Sequence, residues 1–125
     1  MYTVAVRRDF IARHALVGGD WGFENQPHSH HYAVEACFYG KHLDRHGYLI
    51  DICEVQTRLD RLMDYFRDDS LNDLPEFEGL NPSIEHFARI LCRALGKEVK
   101  ADTLTGLSVK IWETEAAWAE YRETF

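Results

Sequence analysis

Glu24-Asn25-Gln26-Pro27-His28-Ser29-His30-His31-Tyr32 holds three of the chain's seven histidines within four residues. After Pro27, the residues His28, His30, Tyr32, Val34, Ala36 and Phe38 fall on alternate positions, which predicts a strand over about His28–Tyr39. Side chains two apart in a strand share a face, so His28 and His30 look one way and His31 the other. Two neutral imidazoles on one face begin a metal site. The alternative is a pair of polar residues at a strand end, satisfied by water or backbone.

A third imidazole comes from the start of the chain. Tyr2, Val4, Val6, Arg8, Phe10, Ala12 and His14 share one face of a second expected strand, about Tyr2–His14. With Val17–Pro27 as the connection, antiparallel pairing brings His14 to His28 and His30. Three histidines without a fourth protein ligand leave one coordination position open, the pattern of a catalytic zinc.

Asp51 opens an expected helix whose buried face is Ile52, Val55, Leu59, Leu62 and Phe66. Arg67–Leu80 reads as a loop. Asn81 is the expected N-cap of a second helix, with Pro82 at its first position. Ile84, Phe87, Leu91 and Leu95 line its inner face, and Gly96 stops it. Leu107, Val109, Ile111 and Glu113 alternate with Ser108, Lys110 and Trp112. Thr114–Ala116 then turns the chain and Trp118–Arg122 returns. The order strand-strand-helix-helix-strand-strand predicts an α+β fold with two helices on one face of an antiparallel sheet.

At 125 residues the chain is a single domain, 1–125. A net charge of −7 argues against nucleic acid as a partner. No run reaches the length of a membrane-spanning helix, so no membrane partner is expected. Cys37, Cys53 and Cys92 form no C-x-x-C and each has apolar neighbours, so we expect buried core thiols and a reducing, cytoplasmic setting.

Phe10-Ile11-Ala12-Arg13-His14 followed by His28-Ser29-His30-His31-Tyr32 resembles the F-x-A-x-H and H-G-H-x-Y motifs of the 6-pyruvoyltetrahydropterin and 6-carboxytetrahydropterin synthase family. Gly47-Tyr48-Leu49-Ile50-Asp51, Leu71-Asn72-Asp73, Asn81-Pro82-Ser83-Ile84-Glu85 and Trp112-Glu113-Thr114 continue the resemblance in order over nearly the whole chain. It implies the tunnelling fold, a homo-oligomer (a hexamer built as a dimer of trimers) and zinc on His14, His28 and His30. It also implies a pterin substrate, with the ring held by Glu113 and by the helix start at Ser83 and Ile84. Read without the resemblance, Glu113 reaches water at a strand end and Ser83 only caps a helix.

Two positions depart from the family pattern. Glu24 stands where the synthase has its proton-abstracting Cys, and Arg67-Asp68 stand where it has an Asp-His pair. A subgroup with Glu in place of that Cys cleaves the side chain of dihydroneopterin triphosphate to 6-hydroxymethyl-dihydropterin. The resemblance therefore implies a zinc-dependent lyase with Glu24 as general base and Asp68 as a second acid/base group. The alternatives are a zinc- and pterin-binding homologue without turnover, and a zinc hydrolase of an unrelated ligand.

Overall fold

A computed structural model describes all residues, 1–125. Four strands form one antiparallel sheet in the order β1-β2-β3-β4: β1 (Tyr2–His14), β2 (His28–Gly40), β3 (Gly106–Thr114) and β4 (Ala117–Thr124). Between β2 and β3 lie the helices α1 (Ile52–Phe66) and α2 (Ile84–Glu98). The strand alternation sets which face they cover. Val6, Phe10 and Ala12 of β1, Tyr32, Val34, Ala36 and Phe38 of β2, and Leu107, Val109 and Ile111 of β3 are buried in the core. The helices close that face with Val55, Leu59, Met63 and Phe66 from α1 and Phe87, Ala88, Leu91, Cys92 and Leu95 from α2. Burial of these side chains, each worth about 1.5–3 kcal/mol when large and apolar, holds the layers together.

Several details differ from the expectations above. Ile52 is exposed and Met63 takes its place on the buried stripe, since Met63 lies one turn beyond Leu59 whereas Ile52 sits in the first turn, outside the core. The N-cap of α2 is Ser83 in place of Asn81, because the Ser83 hydroxyl accepts from the His86 amide at 3.2 Å. Asn81 is committed elsewhere, its side chain accepting from the Val17 amide at 2.8 Å. Gly96 lies inside α2, which runs on until the buried Val99 turns back into the core. Cys37 and Cys92 are buried, but Cys53 is exposed, being in the first turn of α1 off its apolar stripe. The 67–80 segment has structure of its own: two short 3-10 turns, Leu71–Asp73 and Pro75–Phe77, sink Leu71 and Phe77 into the core.

The sheet register positions the site. Strand β1 pairs with β2 down to the last rung, His14 opposite His28. Strand β3 pairs with β2 only as far as Trp112 opposite Ala33, leaving His28–Tyr32 without a partner on that side. The β3–β4 ladder slips by one residue between Trp112 and Thr114, so no β4 residue opposes Glu113. A bulge of this kind frees a side chain from the regular ladder, and bulges recur next to active sites.

Candidate metal centre

His14 and His28 face each other across the final rung, and His30 follows on the same face of β2. Their ring nitrogens converge. His14 Nε2 is 3.0 Å from His28 Nε2, and His28 Nε2 is 2.9 Å from His30 Nε2. All three ligand atoms lie within 4.8 Å of one another. The opposite ring nitrogens explain the orientation. His14 Nδ1 donates to the Pro82 carbonyl at 3.1 Å, and His28 Nδ1 donates to the Gln26 carbonyl at 2.7 Å. Such bonds fix the tautomer that leaves the Nε2 lone pair free, as around metal-ligating histidines generally. The Tyr32 hydroxyl stands 3.0 Å from His14 Nδ1. Burial, reinforced by His30 and His28, pushes His14 down to about 4, so it is neutral near pH 7. Burial, with the nearby Glu113 charge, pushes the Tyr32 hydroxyl above its ordinary value and keeps it protonated. Three imidazoles on a common centre suit a divalent metal of the zinc type.

Two carboxylates complete the surroundings. Glu113 Oε1 is 3.1 Å from His30 Nε2 and 3.7 Å from His14 Nε2. Glu24 forms a second grouping with His30 and Glu113, their ligand atoms within 4.8 Å. Glu24 is presented by a 3-10 turn, Gly22–Asn25, that leads into His28. The turn is tied to the preceding loop: the Glu24 carbonyl accepts from the Leu16 amide at 2.9 Å, and Asn25 Nδ2 donates to the Leu16 and Gly19 carbonyls at 3.0 Å each. Asn72 clamps the next residue, its side chain bonding both the amide and the carbonyl of Ala15 at 2.8 and 2.9 Å.

Ser83 and Ile84 begin α2, directly after the Pro82 carbonyl that holds His14. Asp68 lies outside both groupings. It is exposed, with φ at +60°, and its amide donates to the Ile11 carbonyl at 2.7 Å on the outer edge of β1. His31 projects from the other face and meets Asp9 at 3.1 Å. Phe23 is exposed beside the cluster, its ring centroid 6.1 Å from that of His28, and Trp21 is exposed in the same connection. The sequence reading missed the orienting groups, Tyr32, Pro82, Asn25 and Asn72. Only Tyr32 carried a legible signal, its parity with His28 and His30.

The most voluminous surface cleft, about 540 Å³, lies elsewhere, between the end of α2 and β4, and holds none of these residues. A cleft of about 530 Å³ includes Glu113 together with Arg7, Asp9, His31 and Trp112.

The sequence model described as 6-pyruvoyl tetrahydropterin synthase matches residues 3–124. The chain belongs to the 6-pyruvoyl tetrahydropterin synthase family. Solved synthase structures share the fold. The Caenorhabditis elegans 6-pyruvoyl tetrahydropterin synthase superposes with a TM-score of 0.81 at 21% identity, covering 99% of this chain and 98% of that one. A catalytic-residue mutant of the Plasmodium vivax synthase gives 0.82 at 13% identity, with coverage of 99% and 98%. The Plasmodium falciparum synthase gives 0.80 at 14% identity, with the same coverage. No curated protein sequence matches. The tunnelling-fold architecture expected from the sequence is thus the observed one, an antiparallel four-stranded sheet with two helices. No helix is long and apolar enough to cross a membrane.

Proposed function

We propose that this member of the synthase family is a zinc-dependent lyase that shortens the side chain of a 7,8-dihydropterin, with dihydroneopterin triphosphate as the substrate and 6-hydroxymethyl-dihydropterin as the product. The observation that carries the reading is the carboxylate Glu24, within 4.8 Å of His30 and Glu113, with none of the three cysteines in the metal-type grouping. Zinc held by His14, His28 and His30 would polarise the side-chain oxygens and acidify their protons.

The chain's own residues divide the remaining work. Glu113 accepts from the amino group and ring N–H of the pterin, a charge-assisted pair that fixes the ring. Ser83 and Ile84 border it from the start of α2. Glu24 takes the proton of the side-chain hydroxyl one carbon removed from the ring-proximal carbinol. A carbonyl forms there as the carbon–carbon bond to the carbinol breaks. The electron pair passes into the C=N of the dihydropterin ring. Glu24 returns the proton to the ring-proximal carbon, so that atoms and charge balance without a second base. In the Plasmodium vivax relative, a catalytic glutamate is the residue replaced in the mutant structures, which supports this role for a carboxylate in the family. The position of Asp68 on the outer edge of β1 speaks against its sharing this step within one chain. A homo-oligomer joined at the strand edges is part of the proposal, and a hexamer is the form that the family resemblance implies.

Incubation of zinc-loaded protein with dihydroneopterin triphosphate, followed by mass spectrometry, tests the reading. The expected product is 6-hydroxymethyl-dihydropterin. Robust formation of 6-pyruvoyltetrahydropterin would replace it with synthase activity, and pterin binding without turnover would replace it with a non-catalytic role.

A further inference from the structure

The three histidine nitrogens are not alone at their point of convergence. Glu113 Oε1 stands beside two of them, 3.1 Å from His30 Nε2 and 3.7 Å from His14 Nε2. The histidine edges measure 3.0 and 2.9 Å. Four donors at about 2.1 Å from a tetrahedral zinc stand roughly 3.4 Å from one another. The four measured separations bracket that spacing. Glu24 groups with His30 and Glu113, within the same 4.8 Å.

We propose that Glu113 is the fourth protein ligand of the substrate-free centre, and that the arriving pterin withdraws it. The inference rests on the reading of Glu113 as the pterin anchor and adds a second role for the same carboxylate. The two roles compete. The amino and ring N–H donors of a pterin lie across the bicycle from its C6 side chain, so a carboxylate that follows the donor edge is drawn away from a metal that takes the side chain. Glu113 is built for the exchange. It lies past the last β2–β3 rung and in the slip of the β3–β4 ladder, so no cross-strand neighbour fixes it on either side. In the substrate-free state the centre is closed, with four protein ligands, as structural sites are. Pterin binding opens one position, next to Glu24, when the side chain to be cleaved is in place. Selectivity follows from the same geometry: a diol or sugar phosphate without the paired N–H donors of a pterin cannot draw Glu113 away. The sequence alone suggested three ligands and a position left free for water or substrate.

Cobalt substitution reads the coordination directly, because the visible bands of cobalt(II) report ligand number and geometry. The probe is a pterin with no side chain, which offers the amino and ring N–H donors but no side-chain oxygen. Spectra are compared for the wild type, Glu113→Gln and Glu113→Ala, with circular dichroism to verify the fold of each. We expect both variants to differ from the wild type before any ligand is added, and their zinc affinity to fall about 10-fold or more. We expect the probe to shift the wild-type spectrum toward that of Glu113→Ala. Identical wild-type and variant spectra would overturn the fourth-ligand assignment. A wild-type spectrum unmoved at probe saturation, with binding verified by calorimetry, would overturn the exchange. Absence of calorimetric binding would instead remove the pterin-anchor reading and the exchange with it, while the ligand-free spectra would still decide the fourth ligand.

Discussion

Two carboxylates stand at the histidine cluster, and their removal has different consequences. If Glu24 is the general base, Glu24→Gln lowers turnover by about 10²–10⁴ while pterin and zinc affinity hold. An unchanged rate in a single-turnover assay would make Glu24 a loop residue and nothing more. Glu113→Ala removes the two hydrogen bonds to the ring, of order 1.5–3 kcal/mol each before water compensates. Calorimetry should then find pterin affinity lost, and equal affinity in variant and wild type would reject the anchor. His14 adds a pH dependence to the metal-stripped protein. Its folded value, about 4, lies below the ordinary 6.5, so between those limits the unfolded chain binds more protons. Stability is therefore present above pH 6.5 and is lost as pH falls toward 4, by roughly 3 kcal/mol. Urea midpoints of the apo protein across that window should fall, and those of His14→Gln should fall less. The histidines themselves were legible in the sequence, because strand parity and a single antiparallel pairing bring them together. The place of Asp68 was not, since it depends on where a loop crosses the edge of β1.

At the scale of elements, the four strands and two helices follow from period-two and period-3.6 patterns, and their bounds agree with the expectation within a residue or two, except that α2 runs past Gly96 to Glu98. The ends of the helices are where local signals compete. Asn81-Pro82-Ser83 offers two good caps, and tertiary structure decides: Asn81 is spent on Val17, so Ser83 caps α2. Ser83→Ala should therefore cost about 1 kcal/mol in urea unfolding, a typical capping loss, whether or not pterin binds there. No change in stability would leave Ser83 only a ligand role. The thiols give a second check on burial. Burial pushes Cys37 up to about 11 and Cys92 up to about 12, whereas Cys53 is exposed. One thiol per native chain should react rapidly with an aromatic disulfide at pH 8, and three after unfolding. Rapid reaction of all three in the native protein would contradict the packing of β2 and α2.

At the scale of the whole molecule, the sheet ends at β1 on one side and β4 on the other. Both strands are long, 13 and 8 residues, and neither outer edge is covered by another strand, although residues 68–70 pair with the Ile11–Arg13 end of β1. Long open edges invite pairing with another chain. The exposed Ile11 of β1 and Trp118 of β4 both lie on strands that carry such an edge. Because the two edges differ, pairing β1 of one copy with β4 of the next is head-to-tail, and a head-to-tail interface closes into a ring or runs on as a filament. The ordinary twist of a β-sheet favours closure, since its rotation accumulates from chain to chain. The expected outcome in sedimentation is a single discrete species several times the 14.6 kDa chain mass, with six copies as the assembly that the family resemblance implies. Asp68 would then stand at the border of the neighbouring copy, because residues 68–70 pair with the end of β1 and a neighbour's strand can pair only with the free part of that edge. Substitution of Trp118 by Glu should shift the species toward the monomer without altering the zinc content of each chain. A wild-type monomer at micromolar concentration would remove the ring, and with it any contribution of Asp68 across chains.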